Sequence, residues 1–172
     1  MLINTVTPKK ITEVATETYT VSTINSYTNL YKSWYKITKI TAEWNVTFGG
    51  SRQMYLRLHT TNSESSWMYW YVFDYVNSTH RWELQLKSWN NWVNKHYWAN
   101  NSLSNANTFK IEFLLDGASI TVNNTTTQIT YDSEESNRIA EIFTSSTPYF
   151  YTAQYESLSG WTNTITVEYE NI

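Results

Sequence analysis

From Ile40 to Phe48 every even-numbered residue is apolar, and Thr41, Glu43, Asn45 and Thr47 stand between them. A period of two is the pattern of a half-buried β-strand, because successive side chains leave opposite faces of the pleat. Gly49-Gly50 marks a turn, after which Met54, Leu56 and Leu58 alternate with Tyr55, Arg57 and His59. The same beat returns at Trp82, Leu84 and Leu86, at Phe109, Ile111 and Phe113, and at Ile165, Val167 and Tyr169. The connections are too short for helical crossovers, so the strands are antiparallel. Asp116-Gly117 is the strongest hairpin dipeptide in the chain. Only residues 133–142 tolerate a helix, of one or two turns. Some ten to twelve strands at regular spacing predict an all-β chain: a two-sheet antiparallel β-sandwich of the jelly-roll kind, with at most one short helix.

Composition narrows the function classes. At 172 residues one domain spanning 1–172 is expected, with a core large enough to need no staples. Cysteine is absent, which removes disulfides, thiolate metal sites and thiol nucleophiles. A net charge of -3 leaves no basic footprint for nucleic acid. Nine Trp and fourteen Tyr exclude a disordered chain. Eighteen Asn and twenty-six Thr supply a neutral surface of amides and hydroxyls, suited to strands and to neutral polar partners such as glycans. With only four Gly and two Pro, Asn and Asp are expected to make the turns. No window approaches the ~18 apolar residues of a membrane span, and no signal peptide is visible. The expectation is an extracellular or virion-surface protein without membrane insertion. Residues 11–20 read as a strand poor in apolar groups, part of a possible N-terminal arm or edge strand over 1–31.

Two stretches carry candidate binding chemistry. If Met54, Leu56 and Leu58, then Met68, Trp70 and Val72, then Trp82, Leu84 and Leu86 face the core, the opposite face can be read off. It bears Tyr55, Arg57, Trp67, Tyr69, Tyr71, Arg81 and Gln85, with Asp74 in the core-facing parity. Rows of aromatics beside polar forks grip a sugar: the rings stack on its C–H faces, and the forks exchange hydrogen bonds with its hydroxyls. The alternative is a face covered by another segment or subunit, its arginines stacked on tyrosine. The second stretch, residues 89–98, reads as a loop in which Trp89, Asn91 and Trp92 combine stacking surface with amide groups. Its alternative is a pair of tryptophans anchoring the loop to the sandwich edge.

Catalytic readings find less support. His59, His80 and His96 lack ligand spacing, so no metal site and no cofactor is expected. No Gly-x-Ser-x-Gly elbow occurs. Asp74 is the one candidate carboxylate for glycoside hydrolysis, and a buried structural role is preferred for it. Asp132-Ser-Glu134-Glu135-Ser-Asn137 reads as a solvated acidic turn in preference to a calcium loop, since it lacks the EF-hand spacing and glycine.

The segment 108–122, Thr-Phe-Lys-Ile-Glu-Phe-Leu-Leu-Asp-Gly-Ala-Ser-Ile-Thr-Val, resembles the concanavalin A-like (laminin G-like) β-sandwich superfamily, and earlier strands at 42–48 and 67–76 follow the same order. The resemblance spans roughly residues 36–170. It implies a twelve-to-fourteen-stranded sandwich whose concave face or loops often bind carbohydrate. The family's legume-type metal ligands have no counterparts here, and its Glu-x-Asp-x-x-Glu glycanase signature is absent. The expectation is a non-catalytic, lectin-like module that binds a glycan or cell-surface polysaccharide, as a virion receptor-binding or adhesin-like protein and a homo-oligomer. The rival is a structural virion or filament subunit, assembled through aromatic faces and an N-terminal strand.

Overall fold

Each amphipathic strand has one apolar face to hide, and two sheets laid face to face hide them all. The computed structural model describes residues 12–21, 26–47, 52–62, 68–76, 79–88, 91–100, 106–155 and 159–172. In chain order the first strands are β1 (Val14–Val21), β2 (Ser26–Asn29), β3 (Tyr35–Thr47), β4 (Arg52–His59), β5 (Met68–Val76) and β6 (Thr79–Ser88). Then come β7 (Asn91–Asn100), β8 (Ala106–Phe113), β9 (Gly117–Val122), β10 (Thr125–Thr130), helix α1 (Ser133–Thr144), β11 (Tyr149–Tyr155) and β12 (Ser159–Asn171). The first sheet is ordered β1-β12-β3-β8-β9-β10 and the second β2-β11-β4-β5-β6-β7. Neighbours in both are antiparallel. The all-β, two-sheet sandwich with one helix is the expected architecture.

The core lies between the sheets. Ile40, Ile111, Phe113, Ile120 and Ile165 enter it from the first sheet, and Leu56, Leu58, Leu84, Leu86 and Phe150 from the second. All are at most 2% exposed, and each such side chain contributes roughly 1.5–3 kcal/mol of burial. Helix α1 packs against β3 and β5 and buries Ile139, Ile142 and Phe143.

Two turns show why their residues stand where they do. Leu114 N–H donates to Gly117 O at 2.9 Å, closing the turn after β8. A Cβ at Gly117 would sit 2.5 Å from the Ile129 carbonyl oxygen, so glycine is required there by the close approach of β10. Asn123, between β9 and β10, is left-handed (φ 53), a conformation that asparagine tolerates without glycine.

Three local expectations need correction. The helix runs twelve residues, beyond the expected one or two turns. A capping box starts it: Asp132 accepts from Glu135 N–H and Glu135 accepts from Asp132 N–H, both at 2.9 Å. Residues 91–100 form strand β7, paired with β6, and are not a loop. A register shift between Leu84 and Gln85 lets this Asn-rich stretch pair. Strand β2 went unseen because four residues are too few to show a period. The last two strands enter different sheets, β11 between β2 and β4 and β12 between β1 and β3.

Candidate functional site: the outer face of the second sheet

Residues directly opposite in an antiparallel pair share a face, so the register reads across the sheet in rows. One row crosses all six strands: Tyr27, Tyr151, Arg57, Trp70, Gln85 and Asn94. The next holds Asn29, Tyr149, His59, Met68, Lys87 and Trp92. Leu56 and Leu58 occupy the alternate positions of β4 and are buried in the core. These two rows therefore lie on the face turned away from it.

The near half of this face is tiled with rings. Tyr27 and Tyr151 lie 4.6 Å apart between centroids, Tyr27 and Tyr149 meet edge to face at 6.0 Å, and the His59 ring stands 5.4 Å from Tyr27. The Arg57 guanidinium carbon sits 4.9 Å from the Tyr151 centroid, a cation–π distance. His59 is fully buried and Gln85 is 7% exposed, although both belong to the outer face. The described part of this face sets aromatic planes and a stacked cation side by side.

Register corrects the expected face in one strand. Tyr71 is opposite Leu56 and Leu84, and Tyr69 is opposite Leu58 and Leu86, so both hold the register positions of core leucines. Trp70 takes their place, opposite Arg57 and Gln85. Asp74 pairs in register with Gln53 and Arg81, at the parity of Arg57 and Gln85. The physical reason is that β5, Met-Tyr-Trp-Tyr-Val-Phe-Asp-Tyr-Val, is almost wholly apolar or aromatic. Alternation is silent in such a strand, and a one-residue change of phase exchanges the faces. Arg57 and Gln85 stand in one row with Tyr151, and Tyr55 and Arg81 hold the same parity in register, opposite Ala153 and Asp74. In β7, Trp92 pairs in register with Lys87 and Asn91 with Ser88. Trp67 and Trp89 lie outside the described residues.

Tyr27, Tyr149 and Tyr151 escaped sequence reasoning. Tyr149-Phe150-Tyr151 carried a usable signal, since placing Phe150 in the core puts both tyrosines outside. Nothing in sequence places Tyr27 beside them.

The acidic segment has a structural role. Lys95 Nζ bridges Asp132 at 2.9 Å and Glu134 at 2.7 Å. The hydrogen bond from Lys95, then that from the Glu135 N–H, holds the Asp132 carboxyl below its usual range. Glu135, 1% exposed, accepts from His96 Nε2 at 3.0 Å. The solvated turn is thus a cap that fastens α1 to β7. Among the described residues no group of three His, Asp or Glu is disposed to hold a metal ion.

No protein-family model and no curated protein matches the chain. Solved structures do. Sheep galectin-11, in complex with glycerol, superposes with a TM-score of 0.54 at 9% identity, covering 83% of this chain and 99% of the galectin. A human galectin-16 variant gives 0.55 at 10% identity, covering 82% and 95%. The CBM2 module of Lactobacillus casei BL23 phage J-1 evolved Dit gives 0.52 at 9%, covering 90% of this chain and 76% of that one. At such identities what is shared is the fold. It is a two-sheet antiparallel β-sandwich.

Proposed function

We propose that the chain is one non-catalytic, lectin-like module over residues 1–172 whose second sheet binds a glycan on its outer face. The observation that carries the reading is the row Tyr27, Tyr151, Arg57, Trp70, Gln85 and Asn94. It spans five strand spacings, about 24 Å at ~4.8 Å each, the length of a short oligosaccharide. Sugar rings stack on the aromatic positions, and Arg57 and the amides exchange hydrogen bonds with hydroxyls. Tyr55, Arg81 and Trp92, on the same face, extend the site to neighbouring rows. The setting we favour is a virion or cell surface, where such a module serves as an adhesin and several copies add avidity. The fold's presence in a module of a phage protein supports that setting.

A glycan array probed with wild type, Arg57→Ala and Tyr151→Ala tests the reading. Signal for a defined glycan in wild type, lost in both variants while their thermal unfolding is unchanged, is the expected result. Binding that survives both substitutions would remove this face from consideration.

A second reading, self-assembly, draws on the sheet edges. Strand β10, Thr-Thr-Thr-Gln-Ile-Thr, ends the first sheet without charge, proline or bulge, and such an edge favours pairing with another strand. Light scattering on wild type and Gln128→Pro, whose N–H faces the free edge, separates the two, since only an assembly through this edge would disperse.

A further inference from the structure

Trp34 occupies the turn between β2 and β3 with φ 70, the left-handed region, and is 77% exposed. Bulky residues rarely adopt that backbone, and one that does so without burying its ring points to a use for the ring. The turn is pinned on three sides. Ile172 N–H donates to Trp34 O at 3.0 Å, Tyr35 N–H to Lys32 O at 3.2 Å, and Tyr31 N–H to Asn29 Oδ1 at 2.9 Å. Trp34 and the half-exposed Tyr31 stand at a cavity of about 320 Å³, together with Phe143 of α1 and the terminal Ile172. Its polar rim includes Lys36 and Ser146. Lys36 Nζ lies 3.8 Å from the Glu170 carboxylate, which stands outside the cavity and neutralises the ammonium.

We propose that this cavity is a second carbohydrate site, separate from the outer face of the second sheet and independent of it. An apolar, ring-lined wall beside a rim of hydroxyls and one neutralised ammonium suits a neutral pyranose. Such a ligand has one C–H face to stack on Trp34 and hydroxyls to satisfy Lys36, Thr144 and Ser146. A purely apolar ligand would leave that rim desolvated and unpaired. The size is that of a single small-ligand site.

Indole N–H resonances of ¹⁵N-Trp-labelled protein test this directly. Among the nine tryptophans, the Trp34 signal is the one missing in Trp34→Asn, and Trp34→Phe gives the same assignment should the first variant fold poorly. Wild type and Arg57→Ala are titrated with methyl β-galactoside, methyl β-glucoside, methyl α-mannoside and N-acetylglucosamine. Each is taken to roughly 100 mM, where even a millimolar site saturates. The expected result is a saturable shift of the Trp34 signal with at least one glycoside, equal in wild type and Arg57→Ala. A Trp34 signal that stays in place with all four, or moves equally with glycerol, overturns the proposal. The Arg57→Ala array separates that failure from one of the sheet face.

Discussion

The two outer faces of this sandwich are built on the same pleat and differ in almost everything they carry. Rows on the first sheet read Thr18, Thr166, Thr41, Glu112, Ser119, Gln128 and Thr20, Thr164, Glu43, Lys110, Thr121, Thr126. Their polar groups largely satisfy one another. Glu112 lies 2.9 Å from Lys39 and 3.1 Å from Lys110 and accepts from Ser119 Oγ at 3.0 Å, while Thr121 and Thr126 share a hydrogen bond at 2.8 Å. Burial alone would raise the Glu112 carboxyl, but the bonds from Lys39, Lys110 and Ser119 outweigh it and bring the pKa from 4.5 to about 2. On the second sheet, tyrosines, a stacked arginine and a buried His59 take those places. One face spends its polar groups on itself and stays solvated. The other presents ring surface, which water leaves readily for a ligand.

That contrast can be broken experimentally, most severely by Arg57→Ala with Tyr151→Ala. The pair should weaken binding of any array-defined glycan by about a hundredfold or more, around 2.7 kcal/mol. Isothermal titration would read it, and Thr41→Ala with Thr166→Ala on the opposite sheet should leave the same affinity untouched. Glu112→Gln comes next, costing about 1–2 kcal/mol of stability in urea melts at neutral pH. Because folding lowers this pKa, its contribution is complete above 4.5 and is lost as pH falls toward about 2. The variant should therefore show a flatter stability profile across that window, and an unchanged slope would discount the Lys39–Glu112–Lys110 ladder. Trp34→Asn should hold stability or raise it by up to about 1 kcal/mol, since the left-handed backbone suits asparagine better. A clear loss in thermal unfolding would assign the exposed ring a structural role. Smallest of all, Thr166→Ala should stay within about 0.5 kcal/mol, despite the 3.4 Å contact with Thr18.

Legibility in the sequence followed the strength of the alternation. Strands β3, β8 and β9 mark their own buried face, because polar residues separate Ile40 from Ala42 and Phe109 from Ile111. Arg57 and Gln85 read the same way, each flanked by leucines that are buried. Tyr69 and Tyr71 carry no such signal, since their neighbours in β5 are as apolar as they are. Asp132 and Glu135, three residues apart, carried a capping-box signal that reading them as a solvated turn overlooked. The burial of Glu135 against His96 depends on β7 arriving beside the helix, and no local pattern announces that.

By itself, then, the sequence determined that the chain makes antiparallel strands, that they pair into a sandwich, and that aromatic and amide groups would crowd part of its surface. These follow from local alternation, turn residues and composition, each a property of neighbours along the chain. Which aromatics share a face with Arg57 was decided only in three dimensions. In β5 the phase is set by Leu56 and Leu58 on one side and Leu84 and Leu86 on the other. The rings of Tyr27 and Tyr151, far apart along the chain, meet only because β11 lies between β2 and β4. A period of two tells each strand that it has two faces, and packing against its partners tells it which one is inside.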